Sequence, residues 1–209
     1  MISDVLYAPP QSAPQYAPSL ERQSTTTEVT VMWYYSQQFD DITSNPALYI
    51  ESLVNLANTA YQNSNINLRL KTMCLERLPS SFVETNNAGT ILNDLVAVKG
   101  SVAALRQTAD IALLVTSAPR GGACGAVSEI QLVILLFNVA FCLIQAYLNA
   151  WQSGRPYGWV GKGCQTTVTP HEVGHMMGCC HNPEQSCRPT VSYAYGYWIP
   201  GTGKRTIMA

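Results

Sequence analysis

All three histidines of this 209-residue chain, His171, His175 and His181, fall inside one short window, H-E-V-G-H-M-M-G-C-C-H. Few folds accommodate such a window. On a helix, residues four apart stand about one turn from each other on one face, so the imidazoles of His171 and His175 can address the same ion. Glu172 lies one residue further round, beside that ion rather than on it, where a carboxylate can take a proton from water and pass it to a leaving amine. Gly178 tolerates positive φ, so the helix can stop and the chain can turn back to bring His181 in as a third ligand. Three neutral nitrogens leave one position of a tetrahedral zinc ion open, which separates a catalytic site from a closed structural one. The plain alternative is three histidines packed or solvated for unrelated reasons, and a bare H-E-x-x-H does occur by chance in unrelated helices. The added glycine and third histidine weigh against it.

With Met208 downstream, in Thr206-Ile207-Met208-Ala209, the set has the form of an extended zinc motif followed by a Met-turn. At these residues the chain resembles the metzincin metalloendopeptidases, and within them the reprolysin-like (adamalysin) branch. Thr169-Pro170 leading into the zinc helix, Cys124-Gly125-Ala126 ahead of it, and Ser192-Tyr193-Ala194-Tyr195-Gly196-Tyr197 are similar to that branch. So are a first strand over Val29 to Tyr35 and a helix over Ile50 to Ile66 that ends in Asn-Ser-Asn-Ile. The resemblance covers about residues 28 to 126 and 153 to 209. It implies one catalytic Zn2+ on His171, His175 and His181, Glu172 as general base, and Met208 as the hydrophobic floor beneath the metal. Proteins or peptides are the implied substrates. It also implies an antiparallel edge strand above the cleft, carrying Gly122, Ala123, Cys124 and Gly125, where an extended substrate pairs backbone to backbone. The glycine-rich run Arg120 to Gly125 is no phosphate loop, since no Gly-Lys-Ser/Thr follows. Family members continue past the Met-turn into a wall of the specificity pocket and a C-terminal helix, so the chain reads as a fragment. A fragment that retains the zinc ligands without turnover is accordingly the alternative function.

A net charge of −1 with scattered Lys and Arg gives no electrostatic reason to expect nucleic acid. Seven cysteines point to an oxidising compartment, hence a secreted protein, although buried thiols and metal ligands are alternatives. One or both of Cys179 and Cys180 are expected in disulfides, with Cys187 a plausible partner for Cys180. Met1 to Leu6 has neither a charged n-region nor an apolar core, so no signal peptide is visible. Residues 1 to 27 have the composition of a disordered linker or propeptide remnant, and contain no cysteine that could latch onto the zinc.

From Glu28 to the end the pattern is that of one catalytic domain. Glu28 to Trp33 alternates and then turns apolar, as a strand does. Asn45 or Ser44 can cap a helix opened by Pro46, with Tyr49, Leu53, Leu56 and Ala60 as its buried stripe. Ile66 to Cys74 alternates again. A second helix is expected over Ala88 to Thr108, with Leu92, Leu95, Val96 and Val102 facing the core and Gly100 weakening it. Asp110 to Val115 is a short apolar run of the kind found in a central strand covered on both faces. Strand, helix, strand, helix, strand implies right-handed crossovers and an α/β (α+β) fold with a mostly parallel twisted sheet. Two backing helices, the active-site helix and, from the resemblance, the antiparallel edge strand complete it.

Residues 127 to 152 do not fit this pattern. The segment carries one charge, Glu129, and Leu132 to Trp151 is long and apolar enough on length alone to cross a bilayer. A membrane helix, which would make the chain an intramembrane protease, is compromised by Asn138, Gln145 and Asn149 and would tear the edge strand from the zinc helix. A packed helix lacks a polar face over Leu132 to Leu136. The preferred reading is translated intron, because Val127-Ser128 can be encoded by a splice donor and Gln152 by an acceptor. Its removal joins Cys124-Gly125-Ala126 to Ser153 through Trp159 as a short polar loop and leaves six cysteines.

Overall fold

The computed structural model describes residues 26–128, 157–183, 194–199, 201–202 and 204–208. Strand β1 (Thr27–Tyr35) pairs in parallel with β2 (Leu68–Arg77) on one side and with β3 (Ile111–Thr116) on the other. Beyond β3 lies β5 (Tyr157–Gly161), also parallel, and β4 (Gly125–Val127) closes the sheet as its antiparallel edge, in the order β2-β1-β3-β5-β4. Every residue of β3 is buried, as expected for a strand with neighbours on both sides and layers on both faces. Tyr157-Gly158-Trp159, read from sequence as loop, is strand. A run of five residues gives periodicity little to work with, and β5 is identified by its pairing rather than its pattern.

Period-two alternation sends side chains of one strand into two cores. Val31 and Trp33 of β1 join Ile111, Leu113 and Val115 of β3 on one face, while Met32 and Tyr34 join Ala112 and Leu114 on the other. The first core is covered by α1 (Gln37–Asp41) and α2 (Pro46–Asn63), through Phe39, Ile50, Val54, Ala57 and Tyr61. Asn45 caps α2, its side chain accepting from the Leu48 amide at 3.0 Å, with Pro46 in the first turn. The buried stripe of α2 lies one residue on from the one expected: Tyr49 and Leu53 flank it and Leu56 is exposed. Two apolar stripes run along this helix, and docking onto the sheet selected between them.

The second core is covered by α3 (Ala88–Lys99) and α4 (Val102–Arg106), through Ile91, Leu92, Leu95 and Leu105. The single helix expected over 88 to 108 is thus two. Gly100 adopts φ +82 and ends α3, and the Ser101 side chain then caps α4 by accepting from the Ala104 amide at 3.0 Å. Of the residues assigned to that helix's core face, Leu92 and Leu95 are buried while Val96 and Val102 are half-buried.

β4 and β5 form a hairpin whose last rungs are Val127 opposite Gly158 and a Ser128 amide donating to the Tyr157 carbonyl at 2.9 Å. Ser128 and Tyr157 are therefore neighbours across the hairpin. Of the apolar segment read at 127 to 152, only Val127 and Ser128 lie within the described residues. Of the linker read at 1 to 27, residues 1 to 25 lie outside them, as does Cys187, and Thr27 begins β1. No helix among the described residues is long and apolar enough to cross a membrane.

Candidate active site

Helix α5 (Val168–Met176) follows β5 by a short loop and packs Val173 and Met176 into the first core. This fixes its rotation, so that His171 and His175 share the half-buried face. The helix ends in a Schellman turn: Gly178 takes φ +87, its amide donates to the His175 carbonyl at 2.9 Å, and the Cys179 amide donates to Gly174 at 3.0 Å. The reversed chain is held by Cys180, which is buried, disulfide-bonded and paired with Ala194 and Gly196 through backbone hydrogen bonds of 2.8 Å. His181 follows directly and enters the site. Cys179 is a free thiol, and the partner expected for Cys180 lies outside the described residues.

The three Nε2 atoms stand 3.0 to 3.1 Å from one another. His171 Nδ1 lies 2.7 Å from the Ile207 carbonyl and His175 Nδ1 lies 2.9 Å from the Cys179 carbonyl. A carbonyl only accepts, so these contacts assign the hydrogen to Nδ1 and leave Nε2 with its lone pair facing inward. Burial first, and the neighbouring imidazoles further, lower the pKa of both rings, which keeps them neutral. Inward lone pairs at this spacing repel unless a cation lies between them. Nitrogens 2.0–2.1 Å from one tetrahedral zinc stand about 3.3 Å apart, so the cluster fits that ion to within a few tenths of an ångström. These histidines form a metal-capable group among the described residues.

Glu172 lines the same cleft as His171 and is buried, at 5% exposure. Burial alone pushes its carboxyl up to about 7. Gly125 of β4 lies directly over it: a Cβ at that position would stand 2.8 Å from both Cγ and Cδ of Glu172. On the other side of the helix a Cβ on Gly174 would overlap Met208 Sδ, which places the Met208 side chain against the helix backbone between the two histidines.

The cleft, about 280 Å³, is lined by Cys124, Gly125, His171, Glu172, Arg205 and Ile207 among others. Of the four residues read from sequence as edge strand, Gly125 begins β4, and Gly122 and Ala123 lie in a tight turn where Arg120 and Ala123 exchange backbone hydrogen bonds of 3.0 and 2.9 Å. Cys124 lies between turn and strand and is bonded to Cys164, in the loop that leads to α5.

Sequence reading missed three supports of this site. Cys124–Cys164 was not paired in advance, because 40 residues separate them. The Ile207 carbonyl that orients His171 is a backbone atom and leaves no residue-type signal. The third support is Glu84, whose carboxylate accepts from the hydroxyl of Ser36, from the Ser117 amide at 2.8 Å and hydroxyl at 2.7 Å, and from Arg120. It anchors the start of the glycine-rich run to the core. A lone glutamate in a loop reads as solvated until its burial is known.

Residues 25–209 match the model of the metallo-peptidase family M12. Among solved structures, the chain is similar to one described as the structure of a chaperone-substrate complex, with a TM-score of 0.54 and 20% identity, covering 87% of this chain and 28% of that one. It is also matched to metalloproteinase-II from Bacteroides fragilis, with a TM-score of 0.47 and 13% identity, covering 75% of this chain and 44% of that one. This chain thus spans less than half the length of either. No curated protein matches it.

Proposed function

We propose, for a chain that belongs to the metallo-peptidase family M12, a zinc-dependent endopeptidase that hydrolyses peptide bonds in proteins with Glu172 as general base. The observation that carries this reading is the convergence of three imidazole Nε2 atoms on a cleft that also holds a buried carboxylate, beside β4, the edge strand of the sheet among the described residues. His171, His175 and His181 would hold the ion. When bound, zinc supplies Lewis acidity at the open side of the three nitrogens.

The remaining chemistry belongs to the chain. A substrate strand laid along β4 forms backbone hydrogen bonds with the outer edge of that strand, which presents its carbonyl near Glu172. The carboxylate of Glu172 takes a proton from the attacking water and later gives it to the leaving nitrogen, so its proton count is restored each turnover. Burial raises the pKa of this carboxyl, which favours its taking up that proton. Gly125, with no side chain, lets substrate backbone and carboxylate share the same small volume. The Ile207 and Cys179 carbonyls hold His171 and His175 in the tautomer that offers Nε2.

The Cys124–Cys164 bond and the bonded Cys180 support an extracellular or otherwise oxidising location. Residues 28–209 form the catalytic domain, with 127–152 as an interruption of it. The test is cleavage of an unfolded protein by the purified chain, with and without a chelator, beside Glu172→Ala. Loss of cleavage in both controls is the expected result. A folded, zinc-loaded chain that cleaves nothing would overturn the reading.

A further inference from the structure

Arg205 belongs to the two-residue strand β7 (Lys204–Arg205), which pairs with β6 (Trp198–Ile199). Neighbours in a strand point to opposite sides, and it is Arg205, not Lys204, that lines the cleft with His171 and Glu172. Arg205 is the only cationic side chain among the lining residues, and Glu172 the only acidic one. Arg205 is exposed and forms no ion pair with a described residue. The guanidinium thus lines the cleft that His171 and Glu172 share, where a substrate side chain would pass. Two residues further on, the Ile207 carbonyl is fixed to His171, which ties the position of Arg205 to the ligand cluster.

We propose that Arg205 is a specificity residue, favouring substrates with a carboxylate side chain close to the scissile bond. A guanidinium fork matches a carboxylate in shape and in hydrogen-bond donors, and a cleft with low-dielectric walls strengthens the attraction over that of an open surface. The inference rests on the peptidase reading, since it assumes an extended peptide in this cleft.

The test uses the full, zinc-loaded chain with Glu172→Ala, so that peptides bind without being cut. Fluorescent octapeptides carrying a single Asp, or a single Asn of nearly the same shape, are scanned through every position and their dissociation constants measured by anisotropy. At one position or two adjacent ones, Asp should bind about threefold to tenfold more tightly than Asn, and less so at high salt. Adding Arg205→Gln should bring that ratio to about one, and Arg205→Glu should transfer the preference to Lys at the same position. Equal binding of Asp and Asn peptides throughout, or a preference that survives Arg205→Gln, overturns the proposal. The same peptides with Glu172 intact test the peptidase reading separately. If none is cleaved while the Arg205-dependent difference stands, peptidase function fails and the carboxylate subsite remains.

Discussion

The histidine-bearing helix and the upper edge of the cleft are built over different distances along the chain. Nine consecutive residues of α5 place His171, Glu172 and His175, and one glycine turn brings in His181. The opposite side draws Gly125 from β4, Cys164 from the loop after β5, and Arg205 and Ile207 from the last residues described. Metal ligation needs three nitrogens within a few ångströms, and helical periodicity with a left-handed glycine supplies that locally. Substrate alignment needs a surface as long as an extended peptide, which only strands distant in sequence can provide. The two regions meet where Gly125 lies against Glu172.

Breaking the local half should give the largest effect. Glu172→Gln is expected to lower kcat by about two to four orders of magnitude with zinc content unchanged, measured by turnover of a quenched peptide and by metal analysis. A similar free energy is at stake in the long-range half at Glu84. Glu84→Ala strands Arg120 beside a buried gap, which should cost about 3–5 kcal/mol in denaturant unfolding. A loss under about 1 kcal/mol would mean that this network does not hold the edge of the cleft.

The junction has its own pH signature. Burial raises Glu172 from 4.5 to about 7. Its protonated form therefore contributes stability fully present below its unfolded value and lost as pH rises through about 7. In metal-free protein, Glu172→Gln should melt above wild type at pH 8, by up to about 3 kcal/mol, with the gap closing at pH 5. The lowered histidines act in the opposite sense but are common to both proteins and cancel in the difference. Equal melting at both values would show that the carboxylate is solvated.

Gly125→Ala sharpens the comparison, since it touches both halves while leaving every ligand in place. The added methyl must displace Glu172 or β4, and a drop in kcat of about tenfold to a hundredfold is expected with near-normal zinc affinity. The smallest effect should come from replacing residues 129–156 by a two-residue turn. Ser128 and Tyr157 are already hydrogen-bonded neighbours, so the melting temperature should move by only a few degrees. Collapse of the fold in that variant would make the apolar segment part of the domain.

Legibility followed the same division between near and far. The strands at Val29–Tyr35 and Asp110–Val115 were readable because each carries its own alternation or apolar run. Asn45-Pro46 announced α2, but not whether the Tyr49 or the Ile50 stripe would face inward, because both are apolar. Gly100 signalled weakness in a long helix, while its left-handed φ and the Ser101 cap turned weakness into a break. Arg120 to Gly125 could be placed near the cleft only by resemblance. The offset between the turn at Gly122-Ala123 and the strand at Gly125 follows from pairing with β5.

By itself, the sequence determined the three-histidine window, the identity of the proposed base, the alternation of strands and helices, and the parallel sense that such alternation imposes. Those properties depend on residues within a turn or two of one another. The tertiary structure alone decided the Cys124–Cys164 link, the burial that lifts Glu172, the carbonyl that orients His171, and the arrival of Arg205 in the cleft. Each depends on the distance between segments far apart in the chain, and that distance is set by how two cores pack against one sheet.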